Sequence, residues 1–153
     1  PPPIPRQSVG PSISRRTEPS AEGAIEEGNG QLLLVVEDNP ATRRAVVDSL
    51  RTLHYRVLTA VHGKEALAKL DAVEEPIDLV LSDVVMPEMG GVELFLTLRA
   101  RYPDLPIILM SGHPMDEALE SLRKRGLTKW LTKPTGLEPL ARAVAGELRR
   151  ADG

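Results

Sequence analysis

The chain has 153 residues, 41% hydrophobic and 27% charged, with a formal net charge of −3. That suffices for one domain with a sizeable core, and no global basic field points to nucleic acid or an anionic membrane. Cysteine is absent, which excludes disulfides and thiol catalysis and suits a reducing cytoplasm. No apolar run approaches the roughly 20 residues that span a bilayer. Pro1-Pro2-Pro3 does not resemble a secretory signal. A cytoplasmic location without membrane contact is expected, and a start without Met suggests a fragment of something longer.

Residues 1–30 differ from the rest. Pro1, Pro2, Pro3, Pro5, Pro11 and Pro19 alternate with Ser, Gly and Glu, while Ile4, Val9, Ile13 and Ile25 share no period. Such a segment buries too little to offset a backbone entropy of about 1–2 kcal/mol per residue. It reads as a disordered linker or tail, with a groove-docking peptide as the alternative.

From Gln31 the pattern is regular. Leu32 to Val36 is an apolar run suited to a parallel strand buried on both faces. Asn39 then caps a helix and Pro40 suits its first position, with Val46, Val47, Leu50 and Leu53 on one face. Tyr55 to Ala60 reads as a second strand. His62 to Val73 is helical, with Ala66, Leu67 and Leu70 inward. Ile77 to Ser82 is a third strand, and Gly91 to Arg101 a third helix burying Val92, Phe95 and Leu98. Pro106 to Met110 is the fourth strand. Met115 to Lys124 is a weaker helix, and Leu127 to Leu131 a short fifth strand. The last helix runs from Gly136 to Arg150, with Leu137, Leu140, Val144 and Leu148 on one face, and 151–153 form a tail. Strict alternation implies a parallel sheet with helices on both faces. Function in such sheets sits at the carboxyl ends of the strands.

The residues expected at those ends are Glu37-Asp38, Asp83, Ser111 and Lys133-Pro134. Two like charges about 4 Å apart cost ~4 kcal/mol at an effective dielectric of about 20, so three converging carboxylates call for a divalent cation. Oxygen-only ligands favour Mg²⁺. With Lys133 as a cation and Ser111 as a donor, the set describes a site for a small, phosphate-like anion. A carboxylate can serve there as nucleophile and form an acyl phosphate.

Four motifs carry a resemblance: Val36-Glu37-Asp38-Asn39, Ser82-Asp83-Val84-Val85-Met86-Pro87-Glu88-Met89-Gly90-Gly91, Met110-Ser111-Gly112 and Leu131-Thr132-Lys133-Pro134. In this order, residues 31–150 resemble the receiver domain of two-component response regulators and hybrid histidine kinases. The resemblance implies a flavodoxin-like, doubly wound (βα)5 fold with strand order 2-1-3-4-5. It implies that Asp83 takes a phosphoryl group from the phosphohistidine of a kinase or phosphotransfer domain. Asp38, Asp83 and the Val85 backbone carbonyl would bind Mg²⁺, with Glu37 assisting through water. Ser111 and Lys133 would contact the phosphoryl oxygens, and the bond before Pro134 would be cis.

Three positions depart from the family's usual pattern. Val85 is apolar where many members carry a polar residue that orients water, which leaves His113 as the candidate for tuning dephosphorylation. Trp130 stands where Tyr or Phe usually switches with Ser111. Thr135 replaces an apolar or aromatic residue. His54 and His62 lack the context of a phosphodonor and read as surface residues.

Other classes fit less well. An aspartyl-phosphate hydrolase would resemble Asp-x-Asp, but Asp83-Val84-Val85 lacks the general acid. A flavin carrier would need a Gly/Ser/Thr-rich phosphate loop where Glu37-Asp38 stands. A degenerate receiver that only binds partners would not need the complete site. The N-terminal tail fits a receiver behind a histidine kinase core, the preferred context, and also fits a stand-alone regulator. The chain ends soon after its last helix, so no C-terminal output domain is expected. A weak homodimer is expected through the fourth helix and fifth strand.

Overall fold

The computed structural model describes residues 25–86, 88–112 and 117–152. Strand β1 (Leu32–Val36) is buried along its whole length. Helix α1 (Pro40–Thr52) follows, with the Asn39 side chain accepting the Thr42 N–H at 2.9 Å and Pro40 in its first turn. That cap satisfies one of the orphan donors of the helix start. The remaining elements are β2 (Arg56–Ala60), α2 (Gly63–Ala72), β3 (Leu79–Asp83), α3 (Gly91–Arg101), β4 (Ile107–Ser111), α4 (Glu117–Arg123), β5 (Lys129–Thr132) and α5 (Leu137–Asp152).

The five strands are parallel and ordered β2-β1-β3-β4-β5. Successive strand residues face opposite sides, so β1 divides its side chains between two cores. Leu33 and Val35 pack with Val46, Val47 and Leu50 of α1 and with Leu140, Ala141 and Val144 of α5. Leu34 and Val36 pack with Ala66 of α2, Leu94, Phe95 and Leu98 of α3, and Leu119 and Leu122 of α4. Burying each large apolar side chain contributes about 1.5–3 kcal/mol. The helices thus cover both faces and leave the strand ends as the polar opening.

Several boundaries differ from the sequence reading. Tyr55 precedes β2 but is still buried. β3 begins at Leu79, two residues later than the expected Ile77, and includes Asp83. β5 begins at Lys129, not at Leu127, whose N–H instead bonds the Leu122 carbonyl at 3.0 Å. Gly126, at φ 107°, makes this turn, a backbone conformation open to glycine at no steric cost. Leu137 is 36% exposed although it shares a helical face with Leu140. Periodicity names a face but does not say whether anything covers it at the helix end. α5 continues to Asp152.

The expected tail over 1–30 lies outside the described residues as far as residue 24. Its last part is held on the domain. The Gly28 and Gly30 N–H groups donate to the Leu53 and His54 carbonyls at 2.6 and 2.8 Å. The Tyr55 ring lies where a side chain at position 28 would stand, and Glu26 pairs with Arg149. No helix among the described residues is long and apolar enough to cross a membrane.

Candidate functional site

Because the strands are parallel, their carboxyl ends open on one edge. β1 delivers Glu37 and Asp38, β3 ends on Asp83, β4 ends on Ser111, and β5 leads into Lys133. Glu37 is fully buried, Asp83 and Ser111 are buried, and Asp38 is exposed. One carboxylate oxygen from each of Glu37, Asp38 and Asp83 lies within 4.8 Å of the others.

Lys133 bridges two of these acids. Its Nζ is 3.2 Å from Glu37 Oε1 and 3.2 Å from Asp83 Oδ2. Burial alone would lower the Lys133 ammonium, but the Asp83 charge and the bonds to Glu37 and Asp83 outweigh it, and its pKa is raised. The Glu37 carboxyl is raised too, chiefly by burial and also by Asp83. The Asn39 N–H, which Glu37 Oε2 accepts at 3.1 Å, and Lys133 pull it partly back. Among the described residues only Lys133 pairs with these three carboxylates, which leaves the cluster acidic, and its donors are all oxygen. That set suits a hard cation such as Mg²⁺.

Main-chain bonds hold the flanking loops. The Lys133 N–H donates to the Ser111 carbonyl at 2.8 Å, and the Lys133–Pro134 peptide is cis. The Val84 N–H donates to Met110, and the Gly91 N–H returns to the Val84 carbonyl at 2.9 Å. A side chain at Gly91 would run into the Asp83 carbonyl, so glycine is what lets α3 start against the end of β3. Gly63 of α2 donates to the Met89 carbonyl at 2.9 Å and anchors the far side of that loop. Val85 projects from it, 77% exposed.

Other expected residues sit further off. Trp130 is half-buried on β5, paired with Leu109, with the Arg123 guanidinium 5.8 Å from the ring centre. Thr135 Oγ1 reaches the Thr132 carbonyl at 3.5 Å. His62 is not simply a surface residue, because its Nδ1 caps α2 by accepting the Glu65 N–H at 3.2 Å. His54 is exposed at φ 73°, 3.4 Å from Glu27. His113 and Pro87 lie outside the described residues.

One residue beside the site escaped the sequence reading. Arg43 of α1 reaches back so that Nη1 donates to the Glu37 carbonyl at 2.9 Å, with the Asp38 carbonyl at 3.4 Å. An Arg next to another Arg on a helix carries no sign of such a contact, and only the turn of the chain between β1 and α1 creates it.

A five-stranded parallel α/β domain with an acidic, lysine-bridged site at its strand ends defines a class, that of the receivers of two-component signalling. Residues 33–145 match the family described as response regulator receiver domain, and the chain belongs to it. It is 36% identical over 135 residues to the sensor kinase CckA of Brucella abortus, covering 88% of this chain and 14% of that protein. It is 39% identical over 121 residues to the response regulator protein FleR of Pseudomonas aeruginosa, covering 76% of this chain and 25% of that one. A receiver domain protein from Clostridium thermocellum has the same fold, with a TM-score of 0.75 at 24% identity over 80% of this chain and 97% of that chain. TrrA of Thermotoga maritima, solved in complex with Mg²⁺-BeF, matches with a TM-score of 0.69 at 27% identity, covering 76% and 98%. The chain therefore spans a small part of the curated relatives and nearly all of these solved domains.

Proposed function

We propose that this domain accepts a phosphoryl group on Asp83 from the phosphohistidine of a kinase or phosphotransfer protein, in a Mg²⁺-dependent reaction. The observation that carries this is the Asp83 carboxylate at a strand end, 3.2 Å from Lys133 Nζ and clustered with Glu37 and Asp38. An Asp83 oxygen attacks phosphorus, the P–N bond breaks, and its electron pair stays on the imidazole. Lys133 and the Ser111 hydroxyl meet the phosphoryl oxygens, where charge develops. Asp38, Asp83 and the Val85 carbonyl would hold Mg²⁺, with Glu37 behind them through water. Bound there, Mg²⁺ supplies the positive charge that offsets the carboxylates and the incoming phosphoryl group.

Release of the phosphoryl group by water is tuned at Val85 and His113. Equal phosphoaspartate lifetimes in wild type, Val85→Asn and His113→Ala would sink that assignment. Phosphorylation biases a two-state surface of α4 and β5, with Ser111 and Trp130 as its moving parts and a weak homodimer formed there. The context we favour is the cytoplasmic receiver of a hybrid sensor histidine kinase, supported by the match to a sensor kinase over 88% of the chain. The match to FleR supports a response regulator as the second reading.

The test is intact mass after incubation with acetyl phosphate and Mg²⁺, for wild type and Asp83→Asn. One phosphoryl group gained by wild type and absent from the variant is the expected result. No gain from acetyl phosphate or from a phosphohistidine donor would overturn the proposal in favour of a receiver that only binds partners.

A further inference from the structure

We infer that Arg43 is a positioning residue that aims Asp38 at the Mg²⁺ site, an inference that rests on the Mg²⁺ reading above. Asp38 is exposed, and among the described residues nothing hydrogen-bonds its carboxylate. The direction of that carboxylate therefore depends on the backbone of the short corner between β1 and α1. The ladder from β1 to its neighbours ends at Val36, so the Glu37 carbonyl lies beyond the sheet and needs its own donor. Arg43 Nη1 provides it at 2.9 Å, with a longer approach to the Asp38 carbonyl at 3.4 Å.

Arg43 grips the corner a second time through its main chain, since its N–H donates to the Asn39 carbonyl at 2.9 Å. The other restraints act on Glu37 and Asn39. The Glu37 N–H donates to Ala60, its carboxylate accepts from Asn39, and the Asn39 side chain accepts from Thr42. Arg43 alone among the side chains of α1 holds the peptide carbonyls on both sides of the Asp38 nitrogen and Cα. Metal ligands must sit within about 0.2 Å of their proper distances, so a corner free to rock forfeits affinity.

Charge and position make opposite predictions. Arg43 is a cation beside a cation site. If only its charge mattered, removing it would tighten Mg²⁺ binding. If it positions Asp38, removing it weakens Mg²⁺ binding despite that relief.

The experiment uses the full chain with Arg43→Gln, Arg43→Lys and Arg44→Gln. The last removes the same charge from an exposed neighbour whose side chain has no hydrogen bond or ion pair to the corner among the described residues. Mg²⁺ affinity is read by calorimetric titration of the unphosphorylated protein. The Mg²⁺ dependence of phosphorylation by acetyl phosphate is read separately. Arg43→Gln is expected to raise the half-saturating Mg²⁺ concentration about threefold or more, the scale of one lost hydrogen bond. Its rate at saturating Mg²⁺ should stay within about twofold of wild type, because the reacting groups are intact. Arg44→Gln should leave both unchanged, and Arg43→Lys, which keeps a donor, should lose less than Gln. It also serves as the variant if Gln fails to fold.

Affinity in Arg43→Gln that equals or exceeds wild type overturns the inference. So does a saturated rate that falls at unchanged half-saturation. Wild type that binds no Mg²⁺ overturns the Mg²⁺ reading itself, an outcome separate from a wild type that binds while Arg43→Gln matches it.

Discussion

Replacing Lys133 by Met tests how the site balances its charge. The Met stem keeps much of the aliphatic packing and deletes the ammonium. At 3.2 Å from each of Glu37 and Asp83, each pair is worth about 5 kcal/mol of gross attraction at an effective dielectric of about 20. Desolvation consumes most of that, and removing one partner of a buried pair typically costs about 3–5 kcal/mol. The Lys133 side chain is 25% exposed while Glu37 and Asp83 are 1% and 9% exposed. Screening of the exposed part lowers the expected loss to about 2–4 kcal/mol for the metal-free protein. In urea that moves the unfolding midpoint down by roughly 1–3 M. Saturating Mg²⁺ should restore most of it, because a divalent cation replaces the lost charge, and the variant should bind Mg²⁺ more tightly than wild type. Urea unfolding by circular dichroism, in EDTA and in Mg²⁺, measures both. Equal losses with and without Mg²⁺ would refute this account of the site.

Further outcomes follow from other contacts. Phe95→Ala, emptying a fully buried site between α3 and the sheet, should cost about 3–5 kcal/mol of unfolding free energy, and a loss under about 1 kcal/mol would mean that the core there is not close-packed. Gly91→Ala should shift the β3–α3 loop and slow phosphorylation at unchanged overall fold, because the new Cβ meets the Asp83 carbonyl; a wild-type rate with acetyl phosphate would contradict this. The Glu37 carboxyl, raised chiefly by burial, gives the native state a proton that the unfolded chain releases earlier. Its contribution is therefore full below the ordinary value of 4.5 and is lost as pH rises through the native value. Across that window metal-free wild type should lose stability relative to Glu37→Gln, and a flat or opposite difference in urea midpoints would refute it. Trp130 emission should change on adding beryllofluoride and Mg²⁺ to wild type; no change would argue against Trp130 as a moving part.

Much of this domain is legible in its residues. The apolar run Leu32–Val36 reads as a strand covered on both faces, and Asn39-Pro40 marks the helix that follows. Once strands and helices alternate, the sheet must be parallel, and the acids, the hydroxyl and the lysine fall at one edge. Each of those inferences depends on local patterning, which a chain carries before it folds. Other features depend on what comes to lie beside what. The exposure of Leu137, the start of β5 at Lys129 and the docking of Gly28 against Tyr55 depend on which surfaces other elements happen to cover. The same holds at the site. Sequence order names Glu37, Asp83 and Lys133, but packing buries Glu37 completely, sets one ammonium between two carboxylates, and brings Arg43 back onto the carbonyls of the corner. Residue type says which charges are present, while burial and distance, which no local pattern contains, say how strongly they act on one another.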